Sequence, residues 1–251
     1  MARDPKRFMQ WKAFDQRRWA YESYAIRRVR KALAEMIRPV TRSASLREAQ
    51  GAVDAMSSVP MLRAFQDIYG RVGSDFAFQS FRELKGESNN IETKIDSQNE
   101  WLRFMAEWIA LHGVDRIDGI TLTTQRRLQV AIQDAIQAGE GIQQVARRIV
   151  TTGSGIADLN RARVIARTEI ISASNAGSLE GAYATGVEFQ KEWLATQDDR
   201  TRDAHLVADG QRTSKDGDFL VDGEPLEYPG ALNGSPANVI SCRCTLLYIT
   251  T

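Results

Sequence analysis

"ADLNRARVIARTEIISASNAGSLEGAYATG", residues 157–186, decides how this chain is built. It reads as one long helix. Asp158 stands where an N-cap is expected, and Gly186 is a good C-terminal stop. Ala162, Ala166, Ala173, Ala176 and Gly177 form a face of small side chains, on which a second element can approach closely. Thr168, Ser172 and Asn175 form a polar stripe at helical spacing. After Gly186 the character changes. "VEFQKEWLAT" (187–196) puts Val187, Phe189 and Trp193 on one face of a predicted strand. Turn signals then dominate ("DGQ", "KDGD", "DGEP", "YPG", "NGSP"), and "CTLLYITT" (244–251) is a β-rich last strand. Residues 155–251 are therefore expected to form a small α+β domain, a long helix packed on a short, turn-rich antiparallel sheet.

Upstream the pattern is helical throughout. "RRWAYESYAIRRVRKALAEMIRPV" (17–40) has apolar residues at three- and four-residue steps with arginines between them, and Pro39 is expected to stop it. Two more helices flank a break at Val59-Pro60. Trp101, Leu102, Met105, Trp108, Ile109 and Leu111 make one stripe ending at His112-Gly113. "TLTTQRRLQVAIQDAIQAGEGIQQVARRIV" (121–150) reads as a helical hairpin turning at "AGEG", its first helix capped by Thr123 or Thr124. "GESNN" (86–90) and "TTGSG" (151–155) are candidate linkers. They divide the chain into a basic helical N-terminal region (1–90), a helical middle region (91–154) and the α+β unit (155–251).

A hydrophobic content of 43% and a charged content of 26% suit a globular protein. Net charge is +1, but its distribution is uneven. Residues 1–40 hold eleven Lys/Arg against four Asp/Glu, whereas residues 188–227 hold five against eleven. The first segment adds Phe8, Trp11 and Phe14 at spacing three. They make an amphipathic anchor that must lie on its own domain or on a partner, and Arg17, Arg18, Arg27, Arg28, Arg30 and Lys31 form either a solvated cationic face or a surface for an acidic protein or nucleic acid. Two cysteines give no disulfide framework. No signal-like apolar run follows the basic start, and no stretch approaches the ~20 apolar residues of a membrane span.

The chemistry-bearing residues cluster in two segments, "DDRTRDAH" (198–205) and "ISCRC" (240–244). Asp199 or Thr201 can cap a short helix holding Arg202, Asp203 and His205. If the second segment is extended, Cys242 and Cys244 share one face and Arg243 takes the other. A zinc would use His205, Cys242 and Cys244, with a fourth donor from Asp198, Asp199, Asp203, Asp209 or water. The expected state is metal-free and without a cofactor: two buried thiols, with His205 near them, hydrogen-bonded to a carboxylate or carbonyl, and no catalytic pocket around them. A cysteine nucleophile would need an oxyanion hole or a helix N-terminus at the thiol, and the sequence marks neither. Arg200, Arg202 and Arg243 among the aspartates read as an ion-pair network that fixes turns.

The ordered set is specific. "ARTEI…N" lies on a helix, followed by a Trp strand, D-x-R-T-R-x-x-H, a D-G turn, a proline turn and a terminal C-R-C. Its residues are Arg167, Thr168, Glu169, Asn175, Trp193, Asp198 or Asp199, Arg200, Thr201, Arg202, His205, Asp209, Gly210, Pro236, Cys242, Arg243 and Cys244. This set resembles the minor head protein, or head morphogenesis, family of tailed bacteriophages typified by the F protein of phage Mu. Ser241 stands where many members have Asn, and Arg202 and His205 stand where some carry C-x-x-C. The resemblance implies a virion component made in the bacterial cytoplasm. It implies a place inside the procapsid near the portal vertex, binding to the portal protein, and a role in head assembly, DNA packaging or DNA exit. Packaged DNA, scaffold and major capsid protein are further implied partners, and no membrane is. Two alternatives are a hydrolytic or nucleolytic enzyme using the Arg/Asp/His/Cys cluster, and a sequence-independent DNA-binding protein acting through the basic N-terminal helices.

Overall fold

The computed structural model describes residues 5–86, 98–151, 159–196 and 198–250. The two predicted linkers, beyond Gly86 and Thr151, and the Asp158 cap lie outside them. Eleven α-helices and five strands follow in order among these residues. The helices of the first part are α1 (Pro5–Trp19), α2 (Glu22–Thr41), α3 (Leu46–Asp54), α4 (Val59–Ile68) and α5 (Ser74–Lys85), with a π-helical turn at Tyr69–Gly73 joining α4 to α5. Next come α6 (Gln98–His112), α7 (Val114–Gln137), α8 (Ile142–Thr151) and the long α9 (Leu159–Ala184). The last part holds β1 (Phe189–Leu194), α10 (Asp203–Ala208), β2 (Arg212–Ser214), β3 (Phe219–Val221), β4 (Glu224–Leu226), α11 (Pro236–Val239) and β5 (Thr245–Thr250). The architecture is thus the expected one, helical first and α+β at the end.

The helix α9 occupies the centre. Every residue from Thr168 to Leu179 is buried, because α2, α5 and the C-terminal unit pack around it. Its small face allows this. A Cβ added at Gly177 would stand 2.1 Å from the Gly73 carbonyl oxygen, and one at Gly181 would stand 2.1 Å from that of Ala77. The two backbones therefore touch where α9 crosses the π-turn and α5. Gly186 follows α9 with φ +68°, the left-handed conformation that ends helices. The sheet runs in the order β2-β1-β5, all antiparallel, with Trp193 opposite Leu246. A β3–β4 hairpin stands apart from it.

One apolar cluster runs from Ala25 through Phe65, Met105 and Ala173 to Trp193 and Leu246. It crosses both candidate boundaries, so α2, α4 and α5 share a core with the C-terminal unit. A second, smaller cluster joins Ile37, Val40, Ala49, Val53, Leu128, Ile132, Ala135 and Val145.

Three local expectations need correction. The segment 17–40 is two helices, broken at Ala20–Tyr21. No glycine or proline marks that break; it lets α1 turn back so that Arg18 enters the interior. Pro39 sits inside α2 rather than ending it. It forfeits one backbone bond in the last turn, and fully buried Val40 offsets that loss in the second cluster. Thr123 and Thr124 lie in the middle of α7, not at a cap. Their hydroxyls donate back to Gly119 (2.8 Å) and Ile120 (2.7 Å).

Candidate functional site

Because α9 is buried on all sides, its polar residues must find partners inside the protein. Asn175 does so four times. Its amide nitrogen donates to the carbonyls of Pro229 (2.7 Å) and Cys244 (3.2 Å). Its oxygen accepts from Arg18 (2.9 Å) and Thr245 (3.2 Å). Arg18 is 2% exposed, and it also donates to Ser174 (2.7 Å), Thr245 (3.1 Å) and the Cys244 carbonyl (3.4 Å). All these acceptors are uncharged, and burial lowers the guanidinium to about 10. One asparagine and one arginine thus join α1, α9, β5 and the turn at Pro229.

Neighbouring residues of α9 do similar work. Glu169 is buried, accepts from the Tyr69 hydroxyl (2.9 Å) and lies 3.6 Å from Arg116. Burial pushes its carboxyl above the usual range, against the pull of Arg116. The Thr168 hydroxyl accepts from the Ser241 backbone N–H (3.1 Å), which anchors the C-R-C turn to α9. Arg167 reaches outward, donating to Glu22 (2.7 Å) with its guanidinium over the Trp19 ring.

The segment after β1 folds as a clamp. Asp198 accepts both arms of Arg243, each at 2.6 Å, together with the Arg200 N–H and the Thr201 hydroxyl, each at 3.1 Å. The Arg243 hydrogen bonds hold its carboxyl well below the usual range. Neither Asp199 nor Thr201 caps the short helix. Arg202 occupies that position without a capping side-chain bond, because Asp198 and Thr201 bond to each other one turn earlier. The Arg202 guanidinium donates instead to the Ile240 carbonyl (2.5 Å). Asp199 is exposed. Asp209 accepts from the Ala195 N–H (2.9 Å) and from Arg7 (2.8 Å), and the Gly210 N–H donates to the Trp193 carbonyl (2.9 Å), so the D-G turn is fixed to β1. Pro236 opens α11 at its first turn.

These clamps bring the two motif segments together at His205. Its Nδ1 lies 3.4 Å from the Cys244 sulfur and 3.6 Å from the Cys242 sulfur, and all three residues are buried. Trp193 meets the imidazole at right angles, ring centroids 5.6 Å apart. Cys242 is pulled well below a normal thiol, first by its hydrogen bond from Cys244 and then by His205, with burial opposing. Arg243 points away from the pair toward Asp198, as alternation requires. A cavity of about 400 Å³ adjoins the turn, lined by Arg18, Arg167, Arg200, Arg202, Arg243, Trp19 and Cys242 among others. Its five arginines share the wall with Asp15, Trp19, Ile170 and Ile171.

The N-terminal set divides in two. The Trp11 indole donates to the Arg243 carbonyl (3.0 Å), Phe8 stacks on Trp11, and Phe14 stacks on Phe76. Arg17 makes a two-armed pair with Asp75. These side chains, with Arg18, are engaged within the chain. Arg27, Arg30 and Lys31 are exposed on α2, and Arg28 forms a half-exposed pair with Asp67 (3.2 Å). Sequence reasoning missed Tyr69 and Arg116 as partners of Glu169, and Ser174 and Thr245 as partners of Arg18. Their sequence separations from those partners leave no local signal.

Residues 126–247 match the family model described as Phage Mu protein F like protein. The match starts inside α7, upstream of the expected boundary. The minor head protein GP7 of Bacillus phage SPP1 is 34% identical over 125 residues, which cover 49% of this chain and 40% of that protein. The NAD(+)–arginine ADP-ribosyltransferase EFV of Enterococcus faecalis is 32% identical over 96 residues, covering 37% of this chain and 20% of that protein. The matches thus span less than half the length of either relative. No solved structure matches significantly. The matched segment carries the buried asparagine of α9, the Asp198–Arg243 clamp and the first half of the strand after the C-R-C turn. Through that segment the chain is similar to phage Mu protein F-like proteins and to a phage minor head protein.

Proposed function

We propose that this protein is a non-enzymatic minor component of a phage head, located in the capsid interior near the portal vertex. There it binds the portal protein and supports head assembly, DNA packaging or DNA exit. One observation carries the reading: the charged motif is spent on holding the fold. Asp198, Arg243, Arg202, Asp209 and Asn175 each bond to the chain itself. A hydrolase would instead need an acid or base free to meet a substrate. The printed name of the SPP1 relative, a minor head protein, supports the same choice. The segment shared with the ADP-ribosyltransferase is a fifth of that protein, so we do not transfer its activity. Among the described residues no helix is long and apolar enough to cross a membrane.

The test is co-expression with the portal protein of the same phage. Co-migration with assembled portal rings on gel filtration is the expected result. A monodisperse chain that ignores the rings at micromolar concentration would sink the reading.

A second reading, contact with packaged DNA, has its own observation: Arg27, Arg30 and Lys31 are exposed together on α2. Such contacts are sequence-independent and weaken steeply with salt. Replacing all three by alanine should then reduce the slope of log affinity against log salt by about 2–3. An unchanged slope removes α2 as the DNA surface.

A further inference from the structure

We infer that His205, Cys242 and Cys244 form a zinc site, with the fourth position filled by water from the arginine-lined cavity. The separations fit. With zinc–sulfur at about 2.3 Å and zinc–nitrogen at about 2.0–2.1 Å, a tetrahedral ion places sulfur and nitrogen ligands about 3.5 Å apart. The two sulfurs stand 3.4 and 3.6 Å from one imidazole nitrogen. All three ligand atoms lie within 4.8 Å of one another.

A metal-free core explains this convergence poorly. The imidazole Nδ1 has one lone pair and can accept from one thiol only. The second sulfur cannot share that lone pair, whereas a cation between the three atoms uses all of them. Nδ1 coordination also fixes the tautomer with its proton on Nε2, a buried nitrogen with no hydrogen-bond partner among the described residues. That N–H belongs to the imidazole that meets Trp193 at right angles.

The surroundings are built to hold ligands still. The Asp198–Arg243 pair and the Arg202–Ile240 bond tie the His205 segment to the cysteine turn. Thr168 fixes the same turn to α9 through the Ser241 N–H. Charge also balances: two thiolates neutralise a divalent ion beside the buried Arg18 guanidinium, and zinc favours such a mixed sulfur and nitrogen set. Cys242 lines the cavity, so a water has a route to the open position.

The experiment is elemental mass spectrometry of the full chain purified without chelator, with thermal unfolding before and after treatment with a strong chelator. We expect about one zinc per chain and a chelator-induced fall in Tm of at least about 5 °C, reversed by added zinc chloride. The cobalt-substituted chain should show thiolate-to-cobalt charge-transfer absorption that Cys242→Ser and Cys244→Ser each weaken. The wild-type measurements decide the matter even where a variant fails to fold. A metal-free protein that takes up no zinc on addition, with an unchanged transition, overturns the inference. So does zinc that stays stoichiometric in folded Cys242→Ser and Cys244→Ser chains.

Discussion

Helices α7 and α9 are similar in length, 24 and 26 residues, yet they are different objects. α7 fully buries one stripe, Ile117, Thr121, Thr124, Leu128, Ile132 and Ala135, and exposes most of its other face. α9 buries an unbroken run of twelve residues from Thr168 to Leu179, polar ones included. The first is held by an amphipathic pattern. The second is held by close backbone contact and by paired polar groups, so its stability depends on neighbours from α1, α5 and β5. A helix of the second kind tolerates almost no change in volume.

The same substitution should therefore have opposite signs in the two helices. Gly177→Ala drives a methyl into the Gly73 carbonyl, and we expect a loss of about 3 kcal/mol or more, well beyond the ~1 kcal/mol that alanine gains in helix propensity. Gly119→Ala on α7 meets nothing within 4 Å and should instead stabilise by about 0.5–1 kcal/mol. Urea unfolding of the two variants checks both, and a neutral Gly177→Ala would break the comparison.

The next effect is polar. Asn175→Ala leaves Arg18 buried with fewer acceptors and strands the Pro229 carbonyl, so it should cost about 2–4 kcal/mol. Adding Arg18→Met removes the stranded charge and should recover part of that loss. A double variant as unstable as the sum of the two single ones would show that the pair is not coupled.

The smallest sharpens the account of the C-R-C turn. Asp198 has its pKa depressed by Arg243, so the pair contributes stability above the unfolded value of about 4, and that contribution is lost as pH falls toward the depressed folded value. The pair is partly exposed, which limits it to about 1 kcal/mol. Arg243→Gln should lower stability at pH 7 and flatten its decline between pH 5 and 2. Parallel acid-unfolding curves for wild type and variant would remove the pair from the account.

The sequence by itself determined the elements whose signal is local. The stripes of α2, α6 and α7, the small face and glycine stop of α9, the Trp193 strand and the turn-rich tail were all readable, because period and turn chemistry act over a few residues. The ordered motif near the C-terminus was readable as a family signature for the same reason. Tertiary structure alone decided what those residues touch. Arg18, 2% exposed, looked like one cation in a basic face until the unmarked break at Ala20–Tyr21 turned it inward to Asn175. Phe14 and Trp11 needed something to lie on, and only the fold shows that it is their own chain, through Phe76 and the Arg243 carbonyl. The convergence of two sulfurs on one nitrogen of His205 depends on the β1–β5 register and on the clamps beside it. Such contacts join residues up to 232 positions apart, and their energies depend on burial and geometry that no short stretch of sequence encodes.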